Sequence, residues 1–195
     1  MNLRVDKLEA KRICQGDIVR DVDCVEYVIE KEGTIEVSRI VFPLVIVLTQ
    51  DCDLEQDYKN HREIEKKIKD KMLISVLVAP LYNAEHVYQG EHLSELNISM
   101  EGINKKKTPG NYLRSNDRPR YHYLEFPQTI QLVHSVIDFK HYFSTNANYL
   151  TQLKESNYVC TLSALYREDI SQRFASFLSR IGLPDINSKA STHLA

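Results

Sequence analysis

The chain has 195 residues, of which 43% are hydrophobic and 27% charged, and its formal net charge is -2. This composition suits one ordinary domain and excludes collagen-like, low-complexity and wholly disordered proteins. The N-terminus, MNLRVDKLEAKR, lacks the apolar stretch of a secretory signal, and the longest apolar run, IVFPLVIVL, is too short to span a bilayer. We therefore expect a soluble, cytoplasmic protein without a membrane partner.

Strands dominate the first part of the chain. A turn at residues 15–17 leads into a predicted strand at 18–22, and residues 25–30 and 34–37 predict a hairpin about Gly33. The continuous β-branched run 40–48 predicts a strand that is buried on both faces, with Pro43 at its edge or start.

The middle of the chain alternates polar and apolar segments. The polar stretch 49–60 ends the buried strand, and residues 61–71 predict a short helix because Ile64 and Ile68 are four positions apart. Residues 72–79 predict a second buried strand and 84–96 a further helix. Residues 97–119 have no apolar periodicity and predict a long exposed loop.

Further strands are predicted at residues 121–124, 128–137, 141–144 and 158–162, with a helix at 147–154. The last predicted helix has an apolar face with helical spacing, formed by Tyr166, Ile170, Phe174, Phe177, Leu178 and Ile181. Ser163 is its expected N-cap, and Gly182 followed by Pro184 is its expected end. Residues 1–184 are thus expected to form a single globular domain, and residues 185–195 a flexible tail.

Few strand–helix–strand segments have the length of a parallel crossover. The predicted fold class is therefore α+β, with a strongly bent antiparallel sheet or a small SH3-like β-barrel decorated by helices and an amphipathic C-terminal helix.

Two segments carry a resemblance to a known family. Gly16-Asp17-Ile18-Val19 opens the first strand, and residues 43–49, PLVIVLT, run into a polar turn. The pair resembles the opening of the MazF/PemK (Kid) toxins. That resemblance implies an SH3-like barrel and an endoribonuclease activity, although Phe42 stands where the family usually has arginine.

The segment Gln50-Asp51-Cys52-Asp53 directly follows the most buried predicted strand, where a rigid scaffold presents a loop. Neighbouring carboxylates raise a thiol pKa, which disfavours a nucleophilic Cys52. One interpretation is a site in which Asp51 and Asp53 bind a cation, a base edge or a guanidinium group, lined by Gln50 and Cys52. The other is an acidic turn that caps the next helix, with Cys52 in the core.

The segment 104–123, NKKKTPGNYLRSNDRPRYHY, mixes basic and aromatic residues. Basic groups neutralise phosphates and aromatic rings stack on unpaired bases, so this mixture suits a single-stranded nucleic acid. The expected binding residues are Lys105, Lys106, Lys107, Tyr112, Arg114, Arg118, Arg120 and Tyr121. The alternative is a solvated loop whose lysines aid solubility.

Histidine is the third type of candidate. His122, beside Arg118 and Arg120, is the expected general acid or base of a metal-free ribonuclease, and Asp51 and Asp53 are expected on the opposite wall of the same cleft. His134 and His141 fall near Asp138, and a histidine with a carboxylate partner is also able to act as a base.

The four cysteines form no CxxC and have no histidine at zinc-ligand spacing, so we expect reduced thiols, no metal and no cofactor. The leading hypothesis is a bacterial or phage protein that binds RNA or single-stranded DNA, in one version as a toxin-like ribonuclease. The alternative is a non-catalytic protein-interaction module of a phage-defence or toxin–antitoxin system, which would bind a partner protein.

Overall fold

The computed structural model describes residues 5–6, 11–62, 69–105 and 112–180. The strands are β1 (Val5–Asp6), β2 (Asp17–Lys31), β3 (Thr34–Val47), β4 (Ser75–Asn83), β5 (Tyr121–Leu124), β6 (Ser135–Asp138), β7 (Phe143–Asn146) and β8 (Tyr158–Leu162). The helices are α1 (Asp51–Arg62), α2 (Ala84–Gln89), α3 (Ala147–Asn157) and α4 (Ala164–Leu178). Short 3₁₀ turns occur at Ser94–Leu96 and Phe139–His141.

The strands form one antiparallel sheet in the order β1-β8-β2-β3-β4-β6-β5, and β7 also pairs with β4. The predicted α+β class with an antiparallel sheet is therefore confirmed. The sheet is open, because its end strands β1 and β5 do not pair with each other in the described residues. In the same part of the chain, no helix has the length and apolar composition needed to cross a membrane.

The predicted hairpin is confirmed, and it is longer than expected. Pairing of β2 with β3 runs from Ile18↔Ile46 to Lys31↔Thr34, where the Glu32-Gly33 turn has positive φ at both residues. The ladder omits Asp21, which has φ 54°, and Pro43, which lies inside β3 instead of at its start. Beyond this interruption, residues 25–37 are all exposed. We call residues 23–41 the arm.

The predicted burial on both faces holds only for residues 45–48, at the inner end of the hairpin, because residues 40–44 of the same run are half-buried or exposed. Ile46 and Leu48 pack into a cluster with α4, whereas Val45 and Val47 pack on the opposite face with residues of α1 and α3. Helices therefore cover both faces of the sheet at this point.

Helix α1 is a departure from the prediction, which ended the strand in a polar turn at 49–60 and began a helix at 61. The helix instead starts at Asp51 and ends at Arg62, with acidic residues in its first turn and basic residues in its last. This arrangement favours the helix dipole, and only Leu54 anchors the apolar side in the core. Residues 63–68 of the predicted helix lie outside the described residues, and 69–71 are not helical.

Along most of its length, one side of strand β4 pairs with two short strands in succession. Its first half pairs with β7, as in Val78↔Phe143, and its second half with β6, as in Leu81↔Ile137. Between these two pairs, the segment that joins β6 to β7 is three residues longer than the matching part of β4. The 3₁₀ turn Phe139–His141 accommodates the extra residues. The strands predicted at 128–137 and 141–144 are accordingly shorter and displaced.

Helix α4 confirms the predicted amphipathic helix. Ser163 occupies the N-cap position, but its side chain makes no capping hydrogen bond to the helix. Ile170, Phe174 and Phe177 are buried in the cluster under the sheet. Leu178 departs from the predicted apolar face because it is 52% exposed at the end of the helix. Ile181 of the predicted apolar face, Gly182, Pro184 and the predicted tail 185–195 lie outside the described residues.

The predicted loop 97–119 has no helix or strand among its described residues, 97–105 and 112–119. It is not uniformly exposed, because Leu113 is fully buried and Met100, Ile103 and Tyr112 pack against the cluster formed by β4, β6 and α2. Apolar side chains that are scattered without periodicity still anchor this segment to the core.

A buried ion pair joins the start of β2 to α3. Lys154 Nζ lies 2.8 Å from Asp17 Oδ2 and donates to the Arg12 carbonyl oxygen at 2.6 Å. Asp17 also accepts hydrogen bonds from Thr161 and from the backbone N–H of Cys14. The carboxylate and the ammonium are thus fully partnered, as buried charges must be.

Candidate functional sites

The turn that begins α1 is held by ion pairs. The Asp51 carboxylate accepts hydrogen bonds from both Nη atoms of Arg12, at 3.1 and 2.8 Å, and from the Gln15 N–H at 3.1 Å. Arg167 Nη1 lies 3.4 Å away, and its side chain packs so closely on Gly16 that a Cβ there would clash. Burial raises the pKa of Asp51, but these hydrogen bonds outweigh it and the pKa is lowered. The guanidinium groups that Asp51 binds come from the chain itself.

The other residues of this turn face solvent. Gln50, Cys52 and Asp53 are exposed, and Cys52 Sγ lies 3.7 Å from Gln50 Oε1 and 3.6 Å from Asp53 Oδ1. The interpretation that placed Cys52 in the core is therefore wrong. Cys14 and Cys160 are the buried thiols, and all four cysteines are free.

Most of the described basic residues in the predicted binding segment are paired with carboxylates. Lys105 Nζ lies 2.5 Å from Glu85, and Arg114 Nη2 lies 3.0 Å from Glu125. Arg120 is paired with the buried Asp138. Lys106 and Lys107 lie outside the described residues.

Arg118 differs from these residues. It is exposed, it has no acidic partner among the residues that the structure describes, and its guanidinium lies 4.1 Å from the centre of the Tyr112 ring. Arg120 lies 4.8 Å from the ring centre of Tyr121, whose side chain is mostly buried. Arg173 fixes the segment by donating to the carbonyl oxygens of Arg118 and Tyr121. We call Tyr112, Arg118, Arg120 and Tyr121 the arginine–tyrosine surface.

His122 lies in the interior, on β5, with 2% of its surface exposed. Burial and the nearby Arg173 lower the pKa of His122 to about 3, so the imidazole is neutral at physiological pH. It lines a cavity of about 410 Å³ together with Tyr166 and Asp169 of α4. Arg167 of the same helix instead contacts Asp51, and no residue of 50–53 lines this cavity. The structure does not bring His122 and the Asp51–Asp53 turn to one cleft.

Two histidines converge on Asp138 instead. His141 Nδ1 lies 3.7 Å from Asp138 Oδ2 and 3.1 Å from the Tyr82 hydroxyl oxygen. The ring of His92 lies 4.9 Å from that of Tyr82 and 6.2 Å from that of His141. We call Tyr82, His92, Arg120, Asp138 and His141 the histidine cluster. Through Arg120 it is continuous with the arginine–tyrosine surface.

The electrostatics of the histidine cluster follow from its burial. Asp138 is fully buried, and Arg120 donates to it through Nε and Nη2. Burial lowers the pKa of His92 and of His141, so both imidazoles are neutral at pH 7. Burial and the Asp138 charge raise the pKa of Tyr82, so its hydroxyl stays protonated. The cluster thus holds one ion pair and two neutral imidazoles.

The sequence pattern pointed to only part of this cluster. The sequence placed both His134 and His141 near Asp138, and of these two the structure brings only His141 to it, because His134 is exposed and lies beside Tyr123. His92 and Tyr82 come from the loop after α2 and from β4, and no spacing in the sequence connects them to Asp138.

The arm presents an apolar stripe on one face. Five β-branched residues on that face are between 48% and 67% exposed: Val25, Val28, Ile35, Val37 and Val41. An irregularity in the pairing between Val25 and Tyr27 keeps the two halves of the stripe on the same face, as the pairs Asp23↔Val41 and Val28↔Val37 show. Both edges of the arm are unpaired in the described residues, because β8 reaches only Val19 and β4 only Val45.

The arm is also acidic. Residues 23–41 contain five acidic and two basic side chains. The two basic residues form ion pairs, Arg39 with Asp23 at 2.8 Å and Lys31 with Glu36 at 3.2 Å. Glu26, Glu30 and Glu32 therefore give the arm a net charge of -3.

No protein-family model matches the chain, and a comparison with curated proteins finds no match.

Proposed function

We propose that this protein is a cytoplasmic protein that binds single-stranded RNA or DNA through the arginine–tyrosine surface. The observation that supports this function best is the exposed Arg118 guanidinium stacked on Tyr112, next to a second arginine–tyrosine pair. A guanidinium neutralises phosphate, and a ring or guanidinium plane stacks on an unpaired base.

The ion pairs determine which residues of this surface are available to contact a nucleic acid. Asp138 neutralises Arg120 and burial removes most of Tyr121 from solvent, so these two residues form the floor of the surface. Arg118 and Tyr112 form its accessible part, with Lys106 and Lys107 expected to contribute charge. Lys105 and Arg114 contribute less, because each has a carboxylate partner.

Toxin-like RNA cleavage belongs to the same proposal, since the resemblance of residues 16–19 and 43–49 to the MazF/PemK toxins implies it. His122, Asp51 and Asp53 are weaker candidates for proton transfer than the sequence suggested. His122 is buried and Asp51 is paired with Arg12. The histidine cluster is a better candidate, because it adjoins the binding surface and places two neutral imidazoles beside the Arg120 cation.

Binding is tested with a fluorescently labelled single-stranded RNA by anisotropy at low and physiological salt. Stacking on one aromatic or guanidinium group contributes about 1–3 kcal/mol, so Arg118→Ala and Tyr112→Ala should each weaken binding at least about fivefold. Arg39→Ala on the arm is the matched control and should leave the affinity unchanged. The affinity of the wild type should also fall steeply with salt. Equal affinities of Arg118→Ala and Arg39→Ala, or no binding at low salt, would refute the proposal.

A second candidate function, a protein-interaction module, is favoured by the arm. A long two-stranded ribbon with an exposed apolar stripe and two unpaired edges is an aggregation hazard unless a partner covers it. The net charge of -3 disfavours both nucleic acid and a second copy of the chain, since an isologous contact would bring like charges together. The partner that fits is a protein with an apolar and basic surface.

A photo-reactive amino acid at position 28 or 35 tests this candidate in cells that express the protein. Both positions should give the same adduct of defined mass, and the substitutions Glu30→Lys and Glu32→Lys should abolish it. The control position is 74, because Ile74 is 86% exposed but lies outside the arm. An adduct with twice the mass of the chain would identify a second copy and contradict the basic partner.

A further inference from the structure

We propose that His92, Asp138 and His141 form a binding site for a divalent transition-metal ion such as Zn²⁺. One ligand atom from each residue can be chosen so that all three lie within 4.8 Å of one another. The proposal does not rest on nucleic-acid binding, although the site adjoins the arginine–tyrosine surface through Arg120. It differs from the sequence-based expectations, which were no bound metal and, in one interpretation, a cation at Asp51 and Asp53.

The first observation that supports a metal site is the environment of the His92 ring. Its two ring nitrogens are buried, and neither has a hydrogen-bond partner of good geometry among the described residues, although the backbone of His86 lies near enough to raise its pKa slightly. Buried polar atoms are normally satisfied, so an imidazole with two unsatisfied nitrogens requires an explanation. A metal ion bound to one of these nitrogens provides it.

Asp138 retains the capacity to bind a metal. A carboxylate has about four acceptor positions. Three N–H groups contact Asp138: Arg120 Nε, which is shared between Oδ1 and Oδ2, Arg120 Nη2 on Oδ2, and the backbone N–H of Lys140 on Oδ1. A metal ion on one oxygen would take the place of that oxygen's share of the Nε hydrogen bond. Ligating carboxylates are usually held by such hydrogen bonds, so Arg120 is a positioning residue that fixes the orientation of Asp138.

The backbone around the site is fixed by two features. The 3₁₀ turn Phe139–His141 interrupts the strand beside β4 and brings His141 back towards Asp138. Helix α2 ends at Gly90 in the left-handed conformation, with φ 79°, and a Cβ at this position would overlap the Met100 carbonyl oxygen. The chain therefore reaches His92 by a turn that only glycine permits.

The donor set determines the class of metal. Two imidazole nitrogens and one carboxylate oxygen suit Zn²⁺ or Fe²⁺, whereas Ca²⁺ and Mg²⁺ prefer oxygen ligands. In a tetrahedral zinc site the bonds are about 2.0–2.2 Å, which puts the ligand atoms about 3.4 Å apart, so atoms that lie up to 4.8 Å apart would have to move up to about 1.4 Å closer together by side-chain rotation. Three protein ligands leave one position for water or a substrate group.

The site is tested by titrating the purified full-length protein with Zn²⁺ against a chromophoric chelator, and with Co²⁺ by absorption spectroscopy. One equivalent should bind, and the Co²⁺ spectrum should lack a thiolate charge-transfer band, which excludes the four cysteines as ligands. His92→Ala and His141→Ala should each weaken binding at least about tenfold, since even loss of an outer hydrogen-bond partner costs about 10–100-fold. His134→Ala, at an exposed histidine, should bind as the wild type does.

The two variants separate a lost ligand from a damaged fold. His141→Ala also removes a hydrogen bond with Tyr82, whereas the His92 ring only packs beside Tyr82 and His141, so His92→Ala should lower the metal-free urea midpoint less than His141→Ala does. Absence of stoichiometric binding at micromolar Zn²⁺ would overturn the proposal, and so would binding that survives both substitutions or a thiolate band. None of these measurements uses RNA, so they can fail while nucleic-acid binding succeeds.

Discussion

Replacement of Phe174 by alanine separates two roles for helix α4: packing in the core and binding a partner. Phe174 is 8% exposed, and its ring centre lies 5.3 Å from that of Phe139 and 5.1 Å from that of Tyr142. Truncating a buried phenylalanine costs about 3–5 kcal/mol. Alanine is the better helix former by less than about 1 kcal/mol, so this gain offsets little of the loss.

The assay is equilibrium unfolding in urea. With an m-value of about 2–3 kcal/mol/M, the expected loss lowers the midpoint by about 1–2 M. Leu178→Ala is the matched control, because Leu178 lies on the same helix but is 52% exposed, and its midpoint should change little. If both variants unfolded at the midpoint of the wild type, the packing of α4 against the sheet would be refuted.

Three other predictions concern buried or paired charges. Asp17→Asn leaves the Lys154 ammonium buried without its counter-charge and should cost about 3–5 kcal/mol by urea unfolding, whereas adding Lys154→Met should cost less than the sum of the single changes. Asp51→Asn weakens the bonds from Arg12 and should cost about 1–2 kcal/mol, but Asp53→Asn, at an exposed position of the same turn, should stay within about 0.5 kcal/mol. Because the pKa of His122 falls from 6.5 to about 3 on folding, the unfolded state takes up a proton below pH 6.5 that the folded state does not, and stability decreases as the pH falls from 7 to 5. His122→Gln should reduce this decrease by about 2 kcal/mol, measured from urea midpoints at the two pH values.

The sequence was sufficient to predict the elements whose type and burial follow from the pattern of their own residues. The apolar run in β3 indicated burial on both faces, which holds for residues 45–48 but not for 40–44, and β5 and β8 begin and end where the sequence predicted. The spacing of Ile170, Phe174 and Phe177 was sufficient for α4, because a helix that packs on a sheet needs one apolar face.

Elements that depend on distant partners were predicted less well. Helix α1 has little apolar periodicity, and its start is fixed by bonds from Arg12 and Gln15 to Asp51, which no local pattern reveals. The 3₁₀ turn beside β4 is visible only when the two pairing registers are compared. The histidine cluster combines residues from three separate segments, and therefore only its local pair, Asp138 and His141, could be proposed from the sequence.

The position of β2 in the sheet imposes an order on biosynthesis. One edge of β2 pairs with β3, which follows it directly in the chain. The other edge pairs with β8 through Ile18↔Cys160. The ion-pair partner of Asp17 is Lys154, 137 residues further along the chain. During synthesis on a ribosome, the β2–β3 hairpin is therefore exposed while most of the chain is still being made. The edge of β2 that pairs with β8 is then unpaired, and the Asp17 carboxylate, which is buried in the folded protein, has no counter-charge. Long-range pairing of this kind slows folding and exposes strand edges to association. Chains that terminate before β8 should therefore be insoluble, whereas a circular permutant that begins at β8 and joins the old ends could complete this edge early in synthesis.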